Sequence, residues 1–468
     1  MTTPFTHTRR IGFTLAVALA ATSLGIGSVA AQPISAGGDH TLSICTGGVV
    51  QAWGSNAYGE LGNGGNTYSA TPVTVTGLSN VVAVSAGSDH SMALKSDGTV
   101  WTWGHNDQGQ LGNGNYNNSN VPVQVIGLSN VTAISAGGYF SMAMKSDSTL
   151  WAWGSNDFGQ IGNNGIADTS LPVEITSPTG GLTKVIGIGA GYYHSLAIRD
   201  DSTVWGWGYA LGNGSNTMLL VPNIVDTLHN IVAVSGGNTF SLALKDDGTL
   251  LAWGGDNEGE LGDSASTMTF VPVKVKHLTN VVAMSAGIYH SLALKSDGTV
   301  WAWGLNLNGP LGDGTTTDSH FPIQVNNVTN ATAVDAGFHH SIVKLSNGSE
   351  QGFGNNDYGQ LGNGTTTEAH TAVAVTNLCA GVGIESIANT NDLVVTPTVN
   401  DGTFNVMLPV TIRNGWLTVY DAVGRIVHEA NVTNGNSNAV RLQNAAAGLY
   451  VVKLVDGKND YTHKVVVQ

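Results

Sequence analysis

The sequence predicts an all-β protein, a seven-bladed β-propeller followed by a small C-terminal β-sandwich. Two observations carry the propeller and one carries the tail. An aromatic-Gly pair, Trp-Gly in every copy but the last, closes at Gly54, Gly104, Gly154, Gly208, Gly254, Gly304 and Gly354, at intervals of 50, 50, 54, 46, 50 and 50 residues. Each repeat holds four short apolar runs. That is one propeller blade, a unit that cannot bury its faces alone and must stack on neighbours. Past residue 384 the aromatic-Gly signature stops and alternating strand patterns take over.

In chain order, residues 1–31 read as a secretory signal peptide. Arg9 and Arg10 supply the charge, Ile11 to Ala20 the apolar core, and Val29-Ala30-Ala31 the exit site, with cleavage expected near Gln32. A retained anchor would need about 20 strongly apolar residues, and Thr22, Ser23, Gly25 and Gly27 interrupt this stretch. No membrane span is expected in the mature protein.

The propeller is expected over 32–383. Asn80 to Ser129 gives the pattern: VVAVSAG, HSMALKS, a Ser-Asp-Gly-Thr turn, VWTWG, the loop HNDQGQLGNG, and VPVQV. The turn Asp97-Gly98 recurs as Asp247-Gly248, Asp297-Gly298 and Asn347-Gly348, dipeptides that accept positive φ in a two-residue hairpin. Trp101 and Trp103 sit two apart, as do Trp151 and Trp153, Trp205 and Trp207, and Trp301 and Trp303. Each pair therefore lies on one face of its strand, where such large side chains fill the space between blades.

Charge and motif chemistry narrow the function. The formal net charge is −15, from 17 Lys and Arg against 32 Asp and Glu, and Arg199 is the propeller's single arginine. A surface of this kind lacks the clustered cations that displace counterions from phosphates, so nucleic acid is not an expected partner. The loop Gly109-Gln110-Leu111-Gly112-Asn113-Gly114 has no Lys-Ser/Thr ending and precedes a strand, so its glycines serve turns rather than a phosphate cradle. Gly312-Asp313-Gly314 lacks the alternating oxygens and closing Glu of a calcium loop. The pairs His40-Thr41, His90-Ser91, His194-Ser195, His290-Ser291 and His340-Ser341 invite a base–nucleophile reading. Adjacent strand residues point to opposite faces, and Phe140 and Phe240 replace the histidine in two copies, which marks a packing slot. No catalytic residue, metal site or cofactor is expected, although distant carboxylates such as Asp89 and Asp335 could converge in an enzyme.

With the repeat written as SAGSDHSMALKSDGTVWTWGHNDQGQLGNG, the propeller resembles the regulator-of-chromosome-condensation repeat family from Ile34 to about Cys379. The resemblance implies a seven-bladed propeller of four-stranded blades. It also implies a range of roles: guanine-nucleotide exchange on chromatin, ultraviolet sensing in plants, and secreted bacterial inhibition of β-lactamase. Exchange needs basic surface for chromatin, and the photoreceptor needs arginine-rich pairing around its tryptophans; neither fits this composition. Binding a protein through loops at one rim is the expectation that remains.

Residues 384–390 read as a linker and 391–468 as a β-sandwich of short alternating strands. Val419-Tyr420-Asp421-Ala422-Val423-Gly424-Arg425, Gly448-Leu449-Tyr450-Val451-Val452-Lys453 and Lys464-Val465-Val466-Val467 resemble the C-terminal sorting domain of the type IX secretion system of Bacteroidota. Such domains often open with Tyr-Pro-Asn-Pro, and Val395-Thr396-Pro397-Thr398 stands here instead. The resemblance implies handling by that machinery, export across both membranes, and a secreted or cell-surface location. A stalk or carbohydrate-binding sandwich is the alternative.

The two cysteines, Cys45 and Cys379, align with Lys95 and Ser79 of the second copy. Residues 79 and 95 belong to one continuous stretch through VVAVSAG. At the ring seam that connection is missing, and a disulfide in an oxidising compartment would replace it; two free buried thiols are the alternative.

If the strands are scaffold, binding falls to positions that vary between copies. The pairs after each Ser-Ala-Gly read Gly38-Asp39, Ser88-Asp89, Gly138-Tyr139, Tyr192-Tyr193, Asn238-Thr239, Ile288-Tyr289 and Phe338-His339. Ring closure would bring them to one rim, so Tyr139, Tyr192, Tyr193, Tyr289, Phe338 and His339 are the candidate binding residues, suited to an extracellular protein or glycan. Copy four is irregular at Ser177 to Gly181 and at Tyr209-Ala210. A secreted or surface binding scaffold is the leading expectation, ahead of an extracellular hydrolase of peptide or polysaccharide, with nucleotide exchange last.

Overall fold

The computed structural model describes residues 33–379 apart from 177–181, 210–213, 215–216 and 226–227, and beyond them the strands between 394 and 467 with their immediate flanks. The signal peptide, the linker, the Ser177–Gly181 irregularity and Ala210 lie outside the described residues. Residues up to Leu378 form one compact unit and those from Cys379 a second.

Seven four-stranded antiparallel sheets make up the first unit. In the first, β1 (Ile34–Ala36), β2 (His40–Cys45), β3 (Val49–Gly54) and β4 (Ser69–Thr74) follow one another in order from the axis outward. The other blades span 81–124, 131–174, 185–224, 231–274, 281–324 and 331–374. Every blade is thus cut from one repeat, with its four strands paired in sequence order. Inner strands touch around the full ring, Ala331–Ala336 returning to Ile34–Ala36.

The turns behave as their residues require. Asp97 Oδ1 accepts from the backbone N of Thr99 at 3.0 Å and from its hydroxyl at 2.6 Å, with Gly98 at φ 77°. Outer strands expose an unpaired edge, and Pro72, Pro122, Pro172, Pro222, Pro272 and Pro322 sit in them, where a missing N–H discourages added strands. The last blade has Ala372 at that place.

Apolar clusters lie between successive blades rather than within them. Leu42, Val50 and Leu61 of blade 1 pack with Val84, Ala93 and Trp103 of blade 2, and the same combination repeats around the ring. The tryptophan pairs divide their labour. Trp53, Trp103, Trp153, Trp207, Trp253 and Trp303 are fully buried between blades, as expected. Trp101, Trp151 and Trp301 are half-buried instead, each under a lysine 5.6 to 5.8 Å from the ring centroid and each donating Nε1 to a threonine hydroxyl two residues back. A strand face near a rim is open at its end, and the lysine stem covers it.

At the seam, ordinary interblade contacts close the ring. Trp53 donates Nε1 to the carbonyl of Gln360 at 2.9 Å, Gly364 N donates to Ala70 O at 2.9 Å, and Ile34, Ala36 and Trp53 pack on Ile342.

In the second unit a three-stranded sheet (Val394–Thr396, Thr403–Met407, Asn438–Arg441) faces a five-stranded one in the order Val399–Asn400, Asp460–Val467, Gly448–Val455, Asn414–Tyr420, Ile426–Thr433. Val406 and Val440 from the first share one core with Leu417, Val419, Val432, Val452 and Leu454 from the second, which makes the expected β-sandwich.

Candidate functional site

Three concentric features share the blade ends that carry the variable pairs. Innermost is the axial channel, lined by the Ser-Ala-Gly segments. Each serine reaches the next blade: Ser35 Oγ accepts from Ala86 N at 3.1 Å, Ser85 from Ala136 N at 2.9 Å, Ser135 from Ala190 N at 3.0 Å, Ser235 from Ala286 N at 3.0 Å and Ser285 from Ala336 N at 3.1 Å. Asp335 closes this girdle, accepting from Ala36 N at 2.8 Å and from the hydroxyls of Ser35 at 3.0 Å and Ser285 at 2.6 Å. Burial nevertheless pushes its carboxyl above the ordinary range. Asp89 lies at the rim with other partners, His105 and Tyr139, so the two carboxylates belong to separate clusters.

Next outward is a buried belt that the sequence reading missed. His40 Nε2 meets Ser91 Oγ at 2.9 Å, and His90–Ser141, His194–Ser241, His290–Ser341 and His340–Thr41 repeat the contact at 2.8 to 3.0 Å. Each histidine thus bonds the hydroxyl of the next blade, not its own neighbour in sequence. Those hydroxyls donate to backbone carbonyls, Ser91 to Glu60 O at 2.9 Å and Ser141 to Gln110 O at 2.9 Å, which leaves Nε2–H as the donor. Burial holds His40 and His194 down to about 4 and His90, His290 and His340 down to about 3. Neutral, sealed imidazoles tie the blades together. The signal was the recurrence of the pair at blade spacing.

The outermost feature is the rim. Tyr139 and Tyr192 meet edge to face at 5.7 Å, Tyr192 and Tyr193 at 4.5 Å, and Tyr193 and Phe158 tilt together at 4.5 Å. Tyr192 also reaches Phe338, three blades away, at 5.9 Å across the channel mouth. Tyr289 and His339 stack at 6.0 Å as a separate pair. The six candidate residues are half-buried. Tyr58 and His105, which the sequence reading passed over, extend the run: their rings lie 4.2 Å apart, and His105 is 6.1 Å from Tyr139. Tyr58 is 40% exposed.

The Gly-rich loop that supports this rim is organised by one asparagine. Asn106 Nδ2 donates to the carbonyls of Asn115 at 3.0 Å and Asn117 at 2.9 Å while its Oδ1 accepts from Leu111 N at 2.9 Å. Asn56, Asn156, Asn306 and Asn356 do the same in their blades. Gly112, at φ 62°, lies so close to the next blade that a Cβ there would sit 2.7 Å from the Trp153 ring. Among the described residues no group of His, Cys, Asp and Glu is arranged to hold a metal ion, and no helix is long and apolar enough to cross a membrane.

Cys45 ends β2 and is buried, and Cys379 follows Leu378 with φ 56°. Neither is a free thiol.

The RCC1-like domain matches residues 15–275, regulator of chromosome condensation (RCC1) repeats match 281–309 and 297–343, and a secretion system C-terminal sorting domain matches 395–468. Among solved structures, yeast RCC1 (Prp20) bound to Kap60 is 21% identical, covering 82% of this chain and 93% of its own at a TM-score of 0.64. Prp20p from Saccharomyces cerevisiae is 22% identical over 79% of this chain and 89% of its own, also at 0.64. Human WBSCR16 is 24% identical over 67% and 86%, at 0.61. At such identities the likeness establishes the propeller fold. The match across more than half of the sequence does more: this chain belongs to the RCC1-like domain family, and it carries a secretion-system sorting domain over residues 395–468.

Proposed function

We propose that this secreted propeller binds an extracellular protein through the rim of Tyr139, Tyr192, Tyr193, Tyr289, Phe338 and His339, delivered to the surface or the medium by type IX handling of its sorting domain. The observation that carries the reading is the run of touching rings from Tyr58 through Tyr193 to Phe158 on one rim. Half-buried tyrosines held by one another lose little rotamer freedom on binding, which is why they serve as anchors. Serine, glycine and asparagine loops between them supply adaptable hydrogen bonds. Edge-to-face and tilted packing leaves no broad flat platform for a sugar ring, which favours protein over glycan. Prp20p has binding properties to Gsp1p and histones; here a formal net charge of −15 and a single propeller arginine argue against a surface for nucleic acid or chromatin.

The test is capture of surface proteins from host and community extracts by the mature protein, alongside a glycan array, repeated with Tyr139, Tyr193 and Tyr289 changed to Ala. Losing one large aromatic anchor costs about 2 kcal/mol or more, so the folded triple variant should retain almost no partner. Unchanged capture would place binding elsewhere, array binding would make the ligand a glycan, and turnover of a captured substrate would make the protein an enzyme.

A further inference from the structure

The rim is asymmetric. Blades 3, 4, 6 and 7 present at least one ring at the variable pair, whereas blades 1 and 2 present Gly38-Asp39 and Ser88-Asp89. The small residues are pressed together: Gly38 N donates to Ser88 O at 3.1 Å, and a Cβ on Gly38 would fall on that carbonyl. Asp39 and Asp89 are half-buried on either side of this contact. Behind them Glu60 is 1% exposed. Its Oε2 accepts from Tyr58 N at 2.8 Å, but its Oε1 is sealed from solvent without a partner, as is the Oγ of Ser88.

The equivalent slots explain why this is unusual. Gln110, Gln160 and Gln360 point an amide Nε2 at His105, Ser155 and Asn355, at 3.2, 3.3 and 2.5 Å. Glu60, like Glu260 of blade 5, puts an acceptor where those three blades have a donor, so the N–H that Gln360 gives Asp39 Oδ1 at 3.1 Å has no counterpart from Glu60 towards Asp89. The charged groups acting on these carboxylates are Asp89 and Asp357 on Asp39, Asp89 on Glu60, and His105 and Asp107 on Asp89. Burial and this crowding raise Asp39 to about 6 and Glu60 to about 7. The carboxylates are not arranged to hold a metal ion. Beside Asp89, which interacts with both His105 and Tyr139, the tilted Tyr58–His105 pair, continued by Tyr139, presents faces suited to an aliphatic stem or a guanidinium plane.

We infer that the blade 1–blade 2 sector receives a lysine or arginine side chain of the partner protein, its cationic head between Asp39 and Asp89 over Glu60 and its stem along Tyr58 and His105. The inference rests on the protein-binding reading of the rim and names the residue chemistry that the rim selects. The cation supplies both the missing N–H donor and the charge that these carboxylates lack.

Calorimetric titration of the mature protein at low salt with capped tetralysine and tetraarginine peptides tests it directly. The comparison ligands are the acetyl-lysine counterpart, spermidine and calcium chloride. The cationic peptides should bind, the acetylated one should not, and affinity should rise as the pH passes through about 6 to 7, because binding releases protons from the carboxylates. Asp39→Asn with Asp89→Asn should weaken binding about tenfold or more, while Asp200→Asn with Asp246→Asn, on the opposite rim, should leave it unchanged. Equal binding of the acetylated peptide, indifference to the Asp39/Asp89 pair, or preference for spermidine or calcium overturns the inference. Capture of the natural partner separates the two readings. A partner lost by the tyrosine triple variant but kept by Asp39→Asn/Asp89→Asn sinks the cation receptor alone; a partner kept by both sinks the rim itself.

Discussion

His90 Nε2 lies 3.0 Å from the Oγ of Ser141, a residue of the following blade, and burial holds that imidazole down to about 3. In the unfolded chain the same group titrates near 6.5. A depressed histidine contributes stability that is complete above the unfolded value and is lost as the pH falls towards the folded one. Raised carboxylates act in the opposite sense: those of Asp39, near 6, and Glu60, near 7, favour the fold at low pH and lose that contribution as the pH rises through those values. A difference between variants isolates the histidine. His90→Phe, the residue that blades 3 and 5 carry at this slot as Phe140 and Phe240, should remove about one proton of uptake on unfolding. The stability advantage of the parent over His90→Phe should therefore shrink by up to about 1.4 kcal/mol per pH unit between about pH 6 and pH 4, read by urea melts across that range. A constant difference would mean that the imidazole is not held neutral.

Gly112 and Gly127 both have positive φ, 62° and 78°, but only Gly112 faces a neighbour. A Cβ on Gly112 would meet the Trp153 ring at 2.7 Å, and one on Gly127 meets nothing within 4 Å. Gly127→Ala should therefore cost the backbone penalty alone, about 1 kcal/mol, and Gly112→Ala should add overpacking of about 1–3 kcal/mol. Thermal unfolding of the two variants side by side checks the order; equal losses would show that the Trp153 side yields without strain.

Much of this was legible in the sequence because the repeat length is fixed. A constant offset from one Gly to the next places equivalent residues at equivalent points of a ring, so the blade order, the Asp97-Gly98 hairpin and the gathering of Tyr139, Tyr192 and Tyr193 at one rim follow from counting. What depends on the partner blade did not follow. The bond from His90 to Ser141 links residues in different repeats, and the Tyr192–Phe338 contact crosses the mouth between blades three apart. The depth of Glu60 was hidden for a similar reason: whether a loop carboxylate is exposed is set by how the next blade packs over it.

The seam raises a covalent question. Ordinary interblade contacts such as Trp53 to Gln360 already join the first and last blades, and the sequence holds two cysteines. Peptide mapping without reduction should recover Cys45 linked to Cys379. In the chain-entropy picture a loop of this length stabilises by on the order of 5 kcal/mol when strain is small, so reduction should lower the midpoint of unfolding by many degrees. Two thiols that alkylate in folded, secreted protein would remove the bond.

Removal of residues 391–468 addresses delivery. The propeller's core clusters draw on residues up to Leu378, so the truncated protein should keep its β-sheet spectrum and its cooperative melt. It should nevertheless accumulate in the periplasm of an expressing Bacteroidota host, measured by fractionation. Normal arrival at the surface would show that the matched domain is not the export address here.

Gly189 breaks the girdle of the axial channel. Ser35, Ser85, Ser135, Ser235 and Ser285 each accept from the inner strand of the next blade, whereas blade 4 has no side chain to offer Gly236. Restoring the pattern with Gly189→Ser looks stabilising by analogy with the other copies. Packing says otherwise, because a Cβ at Gly189 would lie 2.9 Å from the carbonyl oxygen of Val234, a backbone atom held in the sheet of blade 5. The new hydroxyl can return about 1 kcal/mol as a hydrogen bond, while overpacking against a fixed strand costs about 1–3 kcal/mol. Gly189→Ser should therefore be neutral to destabilising, and Asp335→Ser, which adds no new Cβ and can keep the bond from Ala36 N but removes the acceptor of the Ser35 and Ser285 hydroxyls, should be destabilising by about 1–3 kcal/mol. Denaturant midpoints for the two variants decide the matter. A clear gain for Gly189→Ser would show that blade 5 shifts readily, and that the glycine is tolerated rather than required.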